Sequence, residues 1–363
     1  MEKIKIIIAG GGTGGHIFPA LAIADKIKKE NKNSEILFVG AEGKMEMERV
    51  PKAGYDILAL PIVGLERKKI WKNIGVFFKL LQSNKKAKKI LKDFKPDLVI
   101  GVGGYASFPI LKVAQSLGIP TLIQEQNSFA GKSNKWLGKK ADSICVAYDG
   151  MDKFFPKNKI VKTGNPVREQ IKKFDFSNSE VKTELKLSKS KMTIGIVGGS
   201  LGAMSINKTI EKNCKKWIDE GYQIIWQTGK LYSPPDTIKQ LSGLIVATFF
   251  EDIEKLYAAS DLIISRAGAL ACAELAIAGK PVIFVPYPYA AENHQYSNAL
   301  SFVEAGAALV VNDNEVENQL PKAVNNILEN ENLQREMQTK MKKCALTEAE
   351  DLIWKEINKI IKK

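Results

Sequence analysis

Gly10-Gly11-Gly12-Thr13-Gly14-Gly15-His16 follows the apolar run 4–9, and Gly198-Gly199-Ser200-Leu201-Gly202-Ala203 follows the apolar run 192–197. Each leads into a stretch with helical spacing, so strand, tight turn and helix occur in the same order at the start of both halves. A helix start offers backbone N–H groups with no partner inside the helix, and glycine lets a phosphate or another backbone come close to them. Two such openings predict two doubly wound α/β domains facing one cleft.

Outward from these turns the rhythm continues. In the first half, strand-like runs recur at 4–9, 35–39, 58–60, 98–102, 121–124 and 143–146, with helix-compatible stretches such as 19–30 and 109–117 between them. The second half repeats it at 193–197, 223–227, 243–247, 262–265, 281–285 and 308–311. Strands alternating with helices imply parallel sheets with right-handed crossovers. The Asn165-Pro166 pair and the polar sequence up to Lys191 read as the connection, giving domains at 1–163 and 164–345. The chain end, 346–363, carries Leu352, Ile353, Ile357, Ile360 and Ile361 at helical spacing. The first domain is one place for that helix to dock, and the sequence does not decide it.

A chain of 363 residues, 45% hydrophobic and 26% charged, has the length and composition of two globular domains. The net charge of +14 is one-sided: residues 1–163 hold 29 Lys and Arg against 15 Asp and Glu, and residues 164–363 hold 25 of each. Such a basic half can face an anionic lipid surface, a polyphosphate or nucleic acid, or be a lysine-rich surface with no partner. Cys145, Cys214, Cys272 and Cys344 lie far apart with no CxxC pair, as scattered thiols of a reducing compartment do. The first residues run straight into a strand, and no apolar run reaches the roughly 18 residues of a spanning helix. The expectation is a cytoplasmic protein, soluble or attached to a membrane from the side.

Taken alone, Gly10-x-Gly12-x-x-Gly15 matches the dinucleotide fingerprint, but the second strand ends Phe38-Val39-Gly40-Ala41 with no acid to hold a ribose, and Glu42 lies past it. A nicotinamide dehydrogenase and a plain tight turn both stay open on this motif. Ser265 to Glu274 follows a strand and enters a helix, so backbone N–H groups at 268–271 can meet a diphosphate without metal. Glu274, one turn in, can take two ribose hydroxyls or simply sit well near a positive helix end. Pro286-Tyr287-Pro288 and Glu292-Asn293-His294-Gln295 form a polar loop beyond another strand. Of the two histidines, His16 and His294, His16 ends a glycine turn, where a neutral imidazole can act as a base. Glu125, in Gln124-Glu125-Gln126-Asn127, is a second candidate base or a loop-ordering group, and Tyr105 with Gly103-Gly104 likewise follows a strand end. Between Arg67 and Lys92, Ile70, Trp71, Ile74, Phe77, Phe78 and Leu81 are interleaved with Lys68, Lys69, Lys72, Lys79, Lys85, Lys86, Lys88 and Lys89. That pattern fits a helix packed on its own sheet, or an interfacial patch meeting anionic lipid. No nucleic-acid motif is present.

The runs GGGTGGHIFPALAIA (10–24), GVGGYASFP (101–109), QEQNSFAGKSNK (124–135), TGNPVR (163–168), GGSLGA (198–203) and SRAGALACAELAIAGKP (265–281) resemble, in order and over nearly the whole chain, the bacterial N-acetylglucosaminyltransferases of glycosyltransferase family 28. The resemblance implies a GT-B architecture of two Rossmann-like domains. It also implies inverting transfer of GlcNAc from UDP-GlcNAc to the 4-hydroxyl of MurNAc in lipid I, giving lipid II for peptidoglycan. By this likeness Arg168, Ser200, Phe250, the run Ala269, Leu270, Ala271, Cys272, Ala273 and Glu274, and Gln295 contact the sugar nucleotide, with Thr13, Gly14, Gly15 and Asn127 closing over it. Phe250 stands where an aliphatic residue is expected, and His294 where some relatives carry glutamine. His16 is the first choice of base and Glu125 the second, and Tyr105 falls on the acceptor side. No Asp-x-Asp triplet occurs, so a metal-bridged diphosphate is not required, and the expectation is that no metal or cofactor is needed. The implied partners are UDP-GlcNAc, lipid I, an anionic membrane met by the patch at Ile70, Trp71, Lys72, Ile74, Phe77, Phe78 and Lys79, and cell-wall and division proteins. The implied location is the cytoplasmic face of the membrane, and nucleic acid is not among the partners. A transferase using another lipid acceptor such as diacylglycerol, the nicotinamide dehydrogenase and a non-catalytic membrane scaffold are the alternatives.

Overall fold

The strand before the first glycine turn, β1 (Lys5–Ala9), is buried at every position but its first. Consecutive apolar residues suit a strand covered on both faces, which is how parallel sheets are built. A computed structural model describes residues 3–12, 14–64 and 73–362, with the backbone alone at 73, 74 and 291. In it β1 is followed by β2 (Glu35–Ala41), β3 (Asp56–Leu60), β4 (Leu98–Gly101), β5 (Thr121–Glu125), β6 (Ser143–Val146) and β7 (Ile160–Lys162). They form one sheet in the order 3-2-1-4-5-6-7. The second sheet contains β8 (Thr193–Val197), β9 (Gln223–Gln227), β10 (Leu244–Ala247), β11 (Leu262–Ser265), β12 (Val282–Phe284) and β13 (Ala308–Val310), in the order 10-9-8-11-12-13. Every pairing in both sheets is parallel. Both have the doubly wound order that reverses beside the first strand, opening a crevice at the carboxyl ends of β1 and β4 and of β8 and β11.

The chain forms two units, residues 1–168 with 347–363 and residues 169–346. The first unit runs past the 1–163 range expected from sequence, for a physical reason. Thr163 N–H bonds Val146 O, Asn165 exchanges side-chain bonds with Gln124 and Gln126, and Val167 N–H donates to Glu350 at 2.9 Å, all inside the first unit. The connecting stretch carries two short helices, Glu169–Lys173 and Glu180–Glu184.

The last helix, Ala349–Ile361, packs on the first unit. Its Ile353, Ile357 and Ile360, one to each turn of a single face, join the core made by Ile6, Ile8, Ile23, Ile27 and Phe38. Polar contacts set the register: Ser143 donates to Glu356 at 2.9 Å, and Lys26 reaches Asp351 at 2.5 Å. The chain thus returns from the second unit to complete the first. Ile357 is fully buried, so Ile357→Ala is expected to cost about 2–5 kcal/mol. An earlier urea midpoint for the first unit, followed by its own fluorescence or exchange probes, checks this.

Candidate functional site

In the first unit the chain leaves β1 through Gly10 to Gly12 and enters the helix Gly14–Glu30. Thr13, expected to contact the donor, lies outside the described residues. His16 sits in the first turn of that helix, half-buried, with Nδ1 3.1 Å from Gly11 O. A carbonyl only accepts, so the ring proton is on Nδ1 and the lone pair of the neutral ring is on Nε2. The ring lies against the turn after β4: a Cβ on Gly103 would stand 3.1 Å from Nε2. Tyr105, from the same turn, rests its ring beside Gly12 and Gly64. Burial raises its hydroxyl pKa above the usual value and the Glu46 carboxylate adds to the effect, so it faces the site as a neutral donor.

Glu125 ends β5, only 2% exposed. One oxygen accepts from Asn127 N–H and Nδ2, at 3.1 and 3.3 Å, and the other from Gly131 N–H and Asn134 Nδ2, at 3.0 and 2.9 Å. Four donors on one buried carboxylate make it the anchor of the loop that follows. Beneath it Gln124, Gln126 and Asn165 bond one another, and Gln126 reaches Val102 O at 2.8 Å. Arg168 lies over the Phe18 ring, 5.6 Å from its centre, and belongs to the first unit, not to the second as expected from sequence.

In the second unit the turn Gly198 to Ala203 locks onto the loop after β9. Lys230 N–H donates to Ser200 O at 3.1 Å and Leu231 N–H to Leu201 O at 3.2 Å. The approach is close: a Cβ on Gly202, where φ is +88°, would stand 2.2 Å from Thr228 O. Ser200 is exposed at the tip. The helix Ala269–Ala278 starts from an extended Gly268 beyond β11, with Leu270, Ala271 and Ala273 half-exposed and Cys272 buried. The Cys272 side chain therefore points into the core, and its nearest offering to a ligand is backbone. Glu274 is 5% exposed and accepts from Tyr257 OH at 3.3 Å. Phe250 N–H is taken by Gln227 Oε1 at 3.0 Å, and Gln295 Oε1 holds Tyr287 N–H at 2.9 Å.

One residue of this cluster that the sequence reading passed over is Arg266. Its guanidinium donates to Val285 O, Pro286 O, Asp313 and Ser205 Oγ at 2.5–3.2 Å and stacks on Tyr287. It ties the ends of β11 and β12 to the start of the helix Met204–Asp219. The only hint in the sequence was its place at a strand end beside an otherwise apolar run.

Of the aromatic and lysine patch, Ile70, Trp71 and Lys72 lie outside the described residues, as does the Ile74 side chain. On the helix Asn73–Phe94, Phe77, Phe78 and Leu81 are 59%, 62% and 50% exposed. Lys79, Lys85 and Lys86 are exposed beside them, while Ala87, Ile90 and Leu91 pack on the sheet. The helix therefore has an inner apolar face and a second, outward one. Among the described residues no helix is long and apolar enough to cross a membrane.

The glycosyltransferase family 28 N-terminal domain model matches residues 6–146, and the C-terminal domain model matches 193–353. The chain belongs to glycosyltransferase family 28. A Phocaeicola vulgatus relative is 50% identical over 100% of this chain and 98% of its own length. One from Bacteroides thetaiotaomicron is 48% identical over 99% of each. Both are called UDP-N-acetylglucosamine–N-acetylmuramyl-(pentapeptide) pyrophosphoryl-undecaprenol N-acetylglucosamine transferase. The crystal structure of Acinetobacter baumannii MurG superposes with a TM-score of 0.76 at 30% identity, covering 98% of this chain and 99% of that one. The calicheamicin glycosyltransferase CalG4, at 12% identity and TM-score 0.74, covers 100% and 99% and shares the fold. The GT-B expectation holds for this family 28 chain, and the dehydrogenase reading falls. The first glycine turn resembles a dinucleotide loop, yet β2 ends without a ribose-binding acid and Gly12 N–H is given to Glu46.

The Gly202 contact yields a prediction. Gly202→Ala would drive a methyl group into Thr228 O and strain the left-handed backbone. A loss of about 1–3 kcal/mol is expected, read as an earlier thermal transition of the second unit.

Proposed function

We propose that this protein transfers GlcNAc from UDP-GlcNAc to the 4-hydroxyl of MurNAc in undecaprenyl-diphospho-MurNAc-pentapeptide, lipid I, forming lipid II for peptidoglycan. The observation that carries this reading is the near-complete, 46–50% identity to relatives whose shared name states both donor and acceptor. The site's chemistry is consistent with it. In a single in-line displacement the acceptor oxygen bonds the anomeric carbon as the bond to the diphosphate breaks. The hydroxyl proton passes to His16 Nε2, and UDP carries away the electron pair. Of the two candidate bases, His16 is favoured, because Glu125 already accepts four hydrogen bonds within its loop. Charge growing on the leaving diphosphate meets the N–H groups where the helix Ala269–Ala278 begins. With the glycine turn at Ser200 nearby in the same sheet edge, the second unit is the donor side. No metal or cofactor is needed for this step.

The decisive assay is UDP release from UDP-GlcNAc with a lipid I analogue, with diacylglycerol, and with neither; release only with the lipid I analogue supports the reading, and diacylglycerol-dependent release overturns it. His16→Ala is expected to lower kcat by about 10²–10⁴-fold while calorimetric UDP-GlcNAc affinity stays unchanged. Near-normal turnover would remove His16 from the base role.

The outward face of the helix Asn73–Phe94 is proposed to rest on an anionic membrane from the cytoplasmic side, which brings the enzyme to its lipid-borne acceptor. Phe77 and Phe78 would enter the headgroup region, with about 1 kcal/mol from each lysine near the surface. The double variant Phe77→Ala, Phe78→Ala should sediment less with phosphatidylglycerol vesicles; unchanged sedimentation would remove this face from the membrane contact. Association with cell-wall and division proteins belongs to the same proposal.

A further inference from the structure

The first glycine turn is already filled, by the protein's own carboxylate. Glu46 opens the short helix Glu46–Lys52 beyond β2 and is 1% exposed. Its Oε2 accepts from Gly12 N–H at 2.9 Å, and its Oε1 from Ala41 N–H at 3.0 Å. Room for it is made by missing side chains: a Cβ on Gly11 would stand 2.1 Å from Oε1, and one on Gly40 2.5 Å from Cγ. The glycines that suggested a phosphate cradle are thus shaped around an internal anion.

The bond to Gly12 N–H matters because of what lies at the other end of the same peptide unit. The C=O of the Gly11–Gly12 peptide accepts from His16 Nδ1 at 3.1 Å. In a planar trans peptide N–H and C=O point opposite ways, so fixing one aims the other. An N–H donated to a carboxylate also polarises its peptide and makes the carbonyl a better acceptor. The line carboxylate, peptide, imidazole therefore holds the proton on Nδ1 and the lone pair on Nε2.

We infer that Glu46 is a positioning residue that fixes the tautomer and orientation of His16 through the Gly11–Gly12 peptide. Its consequence for turnover rests on the base role proposed for His16, whereas the tautomer itself does not. Glutamine is the informative substitution. It keeps the shape but puts an NH₂ group against one of two N–H groups that need an acceptor.

The chain has two histidines, so ¹⁵N-edited imidazole spectra contain two ring systems, assigned with His294→Asn. In the wild type His16 is expected as the Nδ1–H tautomer; a dominant Nε2–H form overturns the inference without any variant. In Glu46→Gln, with native circular dichroism, the Nδ1–H population should fall. kcat should drop roughly 10-fold or more, with the KM for UDP-GlcNAc moving less than about 2-fold. Glu46→Asp, which keeps the charge on a shorter arm, should recover part of both. A folded Glu46→Gln protein with an unchanged His16 tautomer overturns the inference. A shifted tautomer with unchanged kcat upholds it and instead removes His16 from the base role.

Discussion

Every strand in both sheets runs the same way, and the placement of the functional groups follows from that constraint. A parallel pair needs a crossover, and right-handed crossovers put helices on both faces, so all loops that follow strands gather at one edge. Where the order reverses, beside β1 and β4 in one sheet and β8 and β11 in the other, neighbouring loops diverge and leave a crevice. His16 and Tyr105, far apart in the chain, come to neighbouring turns because β1 and β4 end side by side, and Glu125 ends the next strand, β5. The second glycine turn and the start of the helix Ala269–Ala278 are neighbours for the same reason.

The two glycine turns look alike in sequence and differ in use. In the second, glycine allows the turn to interlock with the loop after β9 and leaves Ser200 outward. In the first, glycine admits Glu46, and the backbone passes that carboxylate's influence to His16. A glycine pattern reports only that something must come close. Whether that is a ligand, a backbone or an internal carboxylate depends on what the neighbouring strand end delivers.

Strands such as 193–197 and 262–265 were legible because an apolar run between polar or glycine borders admits few other readings. β7 was not: Ile160-Val161 is brief, flanked by lysines, and becomes a strand by pairing along β6 at the sheet's edge. The helix after the first turn starts at Gly14, ahead of the expected start near Pro19, because the helical cost of Gly14 and Gly15 disguised its first turn. His16 and Glu125 were visible as candidates. Their separation into a ring with a defined tautomer and a carboxylate spent on a loop was not.

The sequence by itself determined two parallel α/β units and, through six motifs in order, family 28. Hydrophobic period and turn chemistry are local properties that survive reading along a line. Only the tertiary structure decided which of Glu42, Glu46 and Glu48 turns inward, and that the last helix completes the first unit. Val50, one turn after Glu46, is buried on the same helix. A carboxylate's role is set by the N–H groups around it, and those of Gly12 and Ala41 come from two separate strand ends that meet Glu46 only once β1 and β2 have paired.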